Sequence, residues 1–371
     1  MPFWPIPSSP AIKAAIEPEN RQVAPPLSES KASPTLRGPS PSHFGDSTLA
    51  VPVLDPPGLS LYPGAVDQSS RIPRLAHGRS LIDHLVDRFP YFDRNTWATT
   101  ISQGLLLLDG HRAHADQKLQ KGQILTYKMP DVQEPHADLG WSVAAEDQWF
   151  LIANKPGNLL VHRMGKSYTS NLLYLVRNAG HPDWAAADPA HRLDRETSGL
   201  VLFAKTKQAL GAILNLFDAH QITKEYLAVV APVPGASVPA EGDRGVIDLP
   251  LGRTEDPVRG QIQAVSVPGA RAARTHWVWG PEVAHGRYEV TVRLETGRTH
   301  QIRVHLAHQG WPLVGDKLYG GPSADRHALH ARMLAFEHPF TNQPVTYQAP
   351  LPPDWQSLQA PSGAQRPVNP A

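Results

Sequence analysis

Proline sets the first bound on what this chain can fold into. Of its 38 prolines, 14 fall within the first 70 of 371 residues, and each removes a backbone donor and restricts φ. Those 70 residues show no sustained apolar period and carry 4 basic against 6 acidic side chains, a net of −2. A stretch of that kind cannot bury enough apolar surface to offset the entropy of ordering it, so residues 1–70 are expected to form a disordered Pro/Ser-rich leader. Residues 351–371 read as a flexible tail on the same grounds. Folding is then concentrated in 71–350, and a hydrophobic content of 41% supplies ample material for a core.

Composition excludes several classes of chemistry. Cysteine is absent, which removes disulfide scaffolds, thiolate zinc sites and cysteine nucleophiles together. With 35 Lys+Arg against 34 Asp+Glu, the formal charge is +1 and a strongly basic nucleic-acid tail is ruled out, though a local basic patch is not. No apolar run approaches the roughly 18 residues of a membrane span. The opening MPFWPIPSSP lacks a basic region followed by an apolar stretch, so no signal peptide is expected and the protein reads as soluble and cytoplasmic.

From Arg71 the pattern changes. RSLIDHLVDRF places Leu81, Leu85 and Val86 at helical spacing with Ser80 as cap, and NTWATTISQG predicts a second helix from behind Asn95 to Gly104. LLLLDGHRA reads as strand, Asp-Gly turn and strand, and Gly122 introduces one more short strand. This 71–130 module carries 9 basic minus 5 acidic residues, or +4, whereas 131–371 carries 22 minus 23, or −1. A polar linker is expected over 131–144. Beyond it QWFLIANKPGNLLVH predicts a strand, a turn and another strand. GLVLFAK, EYLAVVA and YEVTVRLE read as strands, and KQALGAILNLFDAH and THQIRVHLAHQG as helices. Alternation in several strands favours antiparallel or mixed pairing. The fold class is therefore α+β: a mixed, largely antiparallel sheet with flanking helices in 145–350, preceded by the small α/β module.

Three stretches carry candidate chemistry. In His191-Arg192-Leu193-Asp194-Arg195-Glu196-Thr197-Ser198-Gly199 an acid stands between two arginines. Such an acid is usually in a surface ion pair worth about 0–1 kcal/mol, but this loop runs directly into an apolar strand, and Thr197, Ser198 and Gly199 can form a turn that aims the carboxylate. It is not the kinase His-Arg-Asp element, because the context differs and no glycine-rich phosphate loop precedes it. In Thr296-Gly297-Arg298-Thr299-His300-Gln301-Ile302-Arg303-Val304-His305, Gly297 ends a strand and Thr299 is placed to cap a helix running to Gly310. Arg298 then sits near the helix's positive end, and Arg303 has the alternative of a solvated helix residue. His300, His305 and His308 lack the spacing of a zincin pair, so no metal is expected. Tyr226, in Lys224-Glu225-Tyr226-Leu227-Ala228, lies on a strand, where packing is the commonest role of a tyrosine.

Together these stretches resemble the RluA-type family of RNA pseudouridine synthases. Asn154-Lys155-Pro156-Gly157, Ala273-Arg274-Thr275, Val314-Gly315-Asp316-Lys317-Leu318-Tyr319-Gly320, Leu329-His330-Ala331 and His338-Pro339 fit the same family in the expected order over 145–350. Residues 72–130 resemble the alpha-L, ribosomal S4-like RNA-binding module that many members carry. The resemblance implies the pseudouridine synthase fold with a catalytic cleft. It also implies an isomerase (an intramolecular transferase) that converts uridines of rRNA and/or tRNA to pseudouridine without a cofactor or metal. RNA is the partner, no membrane is involved, and a monomer is the default.

By the same resemblance Asp194 is the nucleophile, Tyr226 stacks on the uracil, and Arg298 lies opposite Asp194 and keeps it ionised. Ile302 packs the pocket. His191, Arg192, Arg195, Lys224 and Arg303, with Lys205 as a weaker candidate, would face RNA or substrate. Two rivals remain open at this point. An N-glycosidase would cleave the same bond and stop, and would want a second carboxylate, for which Glu196 is nearest in sequence. A non-catalytic RNA-binding protein on the same fold would not need Asp194, Tyr226 and Arg298 together.

Overall fold

The structure, a computed structural model, describes residues 67–89, 92–128 and 134–360. The leader over 1–66 and the tail over 361–371 lie outside the described residues. At the leader's edge the expectation changes: Asp67–Arg71 is a strand, β1, paired antiparallel with β4 (Ile124–Lys128).

Between these strands come helices α1 (Leu81–Arg88) and α2 (Arg94–Ser102) and the hairpin β2 (Leu106–Leu108) and β3 (His111–Arg112). The four strands form one sheet in the order β1-β4-β2-β3. Ser80 caps α1, its hydroxyl accepting the Asp83 N–H at 3.3 Å, a contact type worth about 1 kcal/mol. The second helix starts earlier than its sequence suggests, because Asp93 rather than Asn95 supplies the cap, accepting the Thr96 N–H at 2.7 Å. Asp109 and Gly110 both take positive φ in the predicted turn. Leu81, Leu85, Trp97, Ile101, Leu106 and Leu125 belong to this module's own core.

The larger unit begins at β5 (Ser142–Glu146) and β6 (Phe150–Lys155), followed by α3 (Leu172–Arg177), β7 (Asp188–Pro189) and β8 (Ser198–Ala204). Then come α4 (Lys207–Asp218), β9 (Thr223–Val230), β10 (Arg244–Asp248), and a separate hairpin, β11 (Leu251–Asp256) with β12 (Gly260–Val265). The chain closes with β13 (Arg274–Ala284), β14 (Arg287–Leu294), α5 (Gln301–His308), β15 (Leu329–Glu337), β16 (Pro344–Gln348) and α6 (Trp355–Gln359). The main sheet runs β10-β13-β14-β9-β15-β8-β6-β5, with β16 on β15 and β7 on β8. Every pairing in it is antiparallel except β15 with β8. The α+β class with a largely antiparallel sheet is thus the observed architecture.

Two local expectations are corrected. The residues after Lys155-Pro156-Gly157 form no strand and make only an isolated bridge from Leu160 to Asn171, since Leu159 and Val161 are taken up by the core beside α3. The presumed flexible tail contains α6, whose Trp355 and Leu358 are buried against Leu227, Val229 and Val314.

Strand β8 is buried along its whole length, as expected for a continuous apolar run in mid-sheet. Its Val201 and Phe203 face a core shared with α3 and α5, while Leu200 and Leu202 face α4. The parallel contact with β15 opens at Ser198↔His330 and Gly199↔Ala331. Gly199 has φ +111°, and a Cβ there would lie 2.2 Å from the Ala331 carbonyl oxygen. Only glycine fits, and the loop ahead of it takes its course from this approach. Gly199→Ala is expected to cost about 2–5 kcal/mol from backbone strain and overpacking together, seen as a melting temperature several degrees lower in calorimetry.

Candidate active site

The loop between β7 and β8 carries Asp194. Its backbone is pinned from several directions: Thr197 N–H bonds the Asp194 carbonyl at 3.2 Å, and Leu159 N–H bonds that of Arg195 at 3.0 Å. Buried Lys155 donates to the carbonyls of Pro156, Leu159 and Arg195 at 2.9, 2.8 and 3.1 Å. Burial, with Arg326 nearby, pushes the Lys155 pKa down to about 7, against the opposing pull of Asp194. Arg326 adds a bond to the Glu196 carbonyl at 3.0 Å and is itself gripped by Asp354. This backbone cannot swing freely.

Asp194 lies in a cleft with Arg192, Tyr226, Arg298, His300, Ile302 and Arg303 among its walls. The guanidinium bonded to its carboxylate is that of Arg303, whose Nη1 donates to Oδ2 at 3.1 Å. Arg298, expected opposite Asp194, instead donates from Nε to the Ala272 carbonyl at 3.0 Å. Arg303, expected against solvent or RNA backbone, is buried. Its Nε and Nη2 grip the two oxygens of buried Asp316 at 2.7 and 2.9 Å, and Asp316 accepts further from the N–H groups of Leu318 and Tyr319, both at 3.1 Å. With two donors committed in this fork, Nη1 is aimed at Asp194 in advance. Burial raises the Asp194 pKa, but nearby His300, Arg303 and His327 outweigh it and leave the carboxyl below its ordinary value.

Tyr226, on β9, lines the same cleft. Burial and the adjacent Asp194 charge raise its phenol well above the usual range, so it is neutral at physiological pH. Helix α5 is entered without the predicted Thr299 cap: the N-cap is His300, and it makes no side-chain capping bond. The entry is shaped by Gln301, whose Oε1 accepts from Thr296 Oγ1 at 2.8 Å and Arg298 N–H at 3.0 Å. His305 bonds Thr275 at 2.8 Å and the Leu249 carbonyl at 2.9 Å, using both ring nitrogens.

Several residues expected on RNA serve the fold. His191 accepts the Leu202 N–H at 3.1 Å, and burial and Lys224 push its pKa down to about 3. Arg195 reaches Asn158 at 2.9 Å and the His136 carbonyl at 2.7 Å. Lys205 is buried on Glu146 rather than on the surface. Arg192 is exposed at the cleft wall, and half-buried Lys224 stands 5.7 Å from the Phe217 ring. Glu196 does not line the cleft: it accepts the His327 N–H at 2.9 Å and lies 3.2 Å from that ring's Nδ1. From sequence His300 was weighed only as a metal ligand, and Asp316 and Tyr319 only as part of the motif over 314–320; none of the three was placed beside Asp194.

Comparison with known proteins agrees with this architecture. Residues 149–308 match the family model described as RNA pseudouridylate synthase. The ribosomal large subunit pseudouridine synthase D of Xanthomonas campestris pv. campestris is 34% identical over 311 residues, spanning 78% of this chain and 90% of that protein. The protein of the same name from Pseudomonas aeruginosa is 32% identical over 78% of this chain and 94% of its own length. An uncharacterized RNA pseudouridine synthase of Bacillus subtilis, YlyB, is 33% identical over 74% of this chain and 92% of its own.

Two outcomes are expected from the charged network. Asp316→Asn leaves Arg303 half-paired in the interior and should destabilise the fold by about 3 kcal/mol in urea denaturation. Burial raises the Glu196 pKa, but the contacts with His327 outweigh it and hold it at about 2, against an ordinary 4.5. Its stabilising effect is therefore full above about pH 4.5 and lost as pH falls toward 2. The gap in melting temperature between parent and Glu196→Gln should accordingly be widest above pH 4.5 and shrink below it.

Proposed function

The chain belongs to the RNA pseudouridylate synthase family, isomerases acting on RNA, and from that premise we propose that Asp194 is the nucleophile that turns a uridine into pseudouridine. The observation that carries this reading is the cleft in which Asp194 meets Arg303, itself locked by Asp316, beside Tyr226. The isomerisation breaks the bond from ribose C1′ to N1 of the base and makes one from C1′ to C5; C5 loses a proton and N1 gains one. Nothing is oxidised or reduced. A carboxylate that holds one fragment covalently while the base turns divides a hard step into two easier ones.

For that role Asp194 must stay ionised when the uracil covers it. Arg303, bonded to the carboxylate, opposes the desolvation that would protonate it. The guanidinium is held before substrate arrives, so no reorganisation is required at the moment of reaction. Tyr226, with a phenol held neutral, supplies a ring for the uracil to stack on and an O–H to donate; it is a poor candidate for a phenolate base. Ile302 closes the apolar side. Drawing the uridine out of a helix costs a few kcal/mol, least in a loop, and Arg192 and Arg298 at the cleft, with Lys224 near Gly297, are the cations we assign to the flanking phosphates.

The 67–128 module, an alpha-L-like unit in this reading, adds a basic surface for the same RNA. The names of the relatives make large-subunit rRNA the first substrate to test, with tRNA the second and the cytoplasm as the place of action. An N-glycosidase reading loses its support here, because Glu196 is tied to His327 and Asp316 to Arg303.

Asp194→Asn should abolish pseudouridine formation in RNA while leaving RNA affinity within a few-fold of the parent. Pseudouridine mapping and filter binding on one RNA preparation give both readings. Turnover retained in the variant would remove Asp194 from the chemistry.

A further inference from the structure

His300 holds a left-handed backbone state that is uncommon outside glycine. At the start of α5 it has φ 57° and ψ 18°, left-handed, and its side chain caps nothing. Strain of this kind in a non-glycine residue persists where the side chain must be delivered to a particular place. The imidazole is delivered into the cleft: Nε2 lies 3.9 Å from Asp194 Oδ2, and Nδ1 lies 2.9 Å from the Tyr319 hydroxyl.

The hydroxyl favours one tautomer. It accepts the Gln263 N–H at 3.2 Å, and its own proton finds a partner when it is donated to Nδ1. Nδ1 then acts as acceptor, and the imidazole hydrogen sits on Nε2, facing Asp194. Gln263 belongs to β12, the edge of a two-stranded hairpin where an outward N–H is free to bond elsewhere. Arg259 of the same hairpin donates to the Leu318 carbonyl at 2.8 Å, so the hairpin grips the 316–319 turn twice. The Tyr319 ring also stacks under Arg303, 5.1 Å from its guanidinium carbon. One tyrosine thus touches both groups that face Asp194.

We propose that His300 is a positioning residue for the Asp194 carboxylate: a neutral imidazole, oriented by Tyr319 and the β11–β12 hairpin, that directs its Nε2–H at Oδ2 alongside Arg303. A separation of 3.9 Å is too long for a hydrogen bond, and catalytic contacts commonly close by such a margin once substrate is bound. The inference rests on Asp194 being the nucleophile, so the test carries Asp194→Asn as a control.

The full chain and its variants are assayed on total RNA from cells lacking the gene, reading kcat, KM and melting temperature. His300→Gly removes the imidazole and relieves the left-handed strain. It should lower kcat about tenfold or more with KM within about twofold, the loss of one well-placed hydrogen bond, while the melting temperature does not fall. His300→Gln, which restores an N–H of similar reach, should recover part of that rate. Tyr319→Phe should lower kcat by a smaller factor at unchanged melting temperature, and it keeps the test open if His300→Gly does not fold. Parent-like kcat in both His300→Gly and Tyr319→Phe, or losses only in step with melting temperature or KM, overturns this inference alone. Turnover that survives in Asp194→Asn overturns the nucleophile assignment and this inference with it.

Discussion

Arg303 stands between two carboxylates, and the geometry of the cleft follows from how it divides its donors. Nε and Nη2 go to Asp316, leaving Nη1 for Asp194. At an effective dielectric near 20, a pair about 4 Å apart gains about 4 kcal/mol, which competes with a desolvation penalty of several kcal/mol per buried ion. The arrangement holds because Asp316 is fully supplied: two prongs of the guanidinium and two backbone N–H groups of its own turn. One cation between two anions leaves Asp194 the less satisfied partner, with one guanidinium bond where Asp316 has two.

That triplet needs a backbone that does not yield. The Asp194 loop is held by a buried ammonium, by Arg326 and by the approach of Gly199 to β15. Arg326 in turn needs room. A Cβ at Gly157 would come within 2.4 Å of its side chain, and one at Gly315 within 1.9 Å of its carbonyl oxygen. Glycines far apart in the chain therefore serve one arginine, and through it one aspartate. The same logic extends to the hairpin and Tyr319, which hold the two groups facing that carboxylate oxygen, His300 and Arg303.

How much of this could be read beforehand differs from element to element. Ser80, the Asp109-Gly110 turn and strand β8 were legible because each depends on its immediate neighbours. The acid in His191-Arg192-Leu193-Asp194 was legible as a candidate because a polar loop empties into an apolar strand. The partner arginine was misassigned for a physical reason. Residues 301–306 of α5 are buried all round, so no amphipathic pattern separates an inward from an outward face, and Arg303 looked like a solvated helix residue. Arg298 was set opposite Asp194 by the family resemblance, and no local pattern in the sequence could test that placement. His191, Arg195 and Lys205 misled similarly: charge in a sequence suggests solvent or RNA, whereas here a backbone N–H, a carbonyl and a buried glutamate consume them.

By itself the sequence determined the α+β class, the module ahead of the larger sheet, the order of the motifs and the carboxylate at position 194. Those depend on periodicity, turn chemistry and residue type, which act over a few neighbours. Tertiary structure alone decided which guanidinium meets that carboxylate, which aspartate locks the guanidinium, and which histidine faces the same oxygen. Residues 194, 300, 303, 316 and 319 converge only when a loop, a helix and a turn from separate parts of the chain pack together, and no local rule sets the rotation of a helix that is buried on every face.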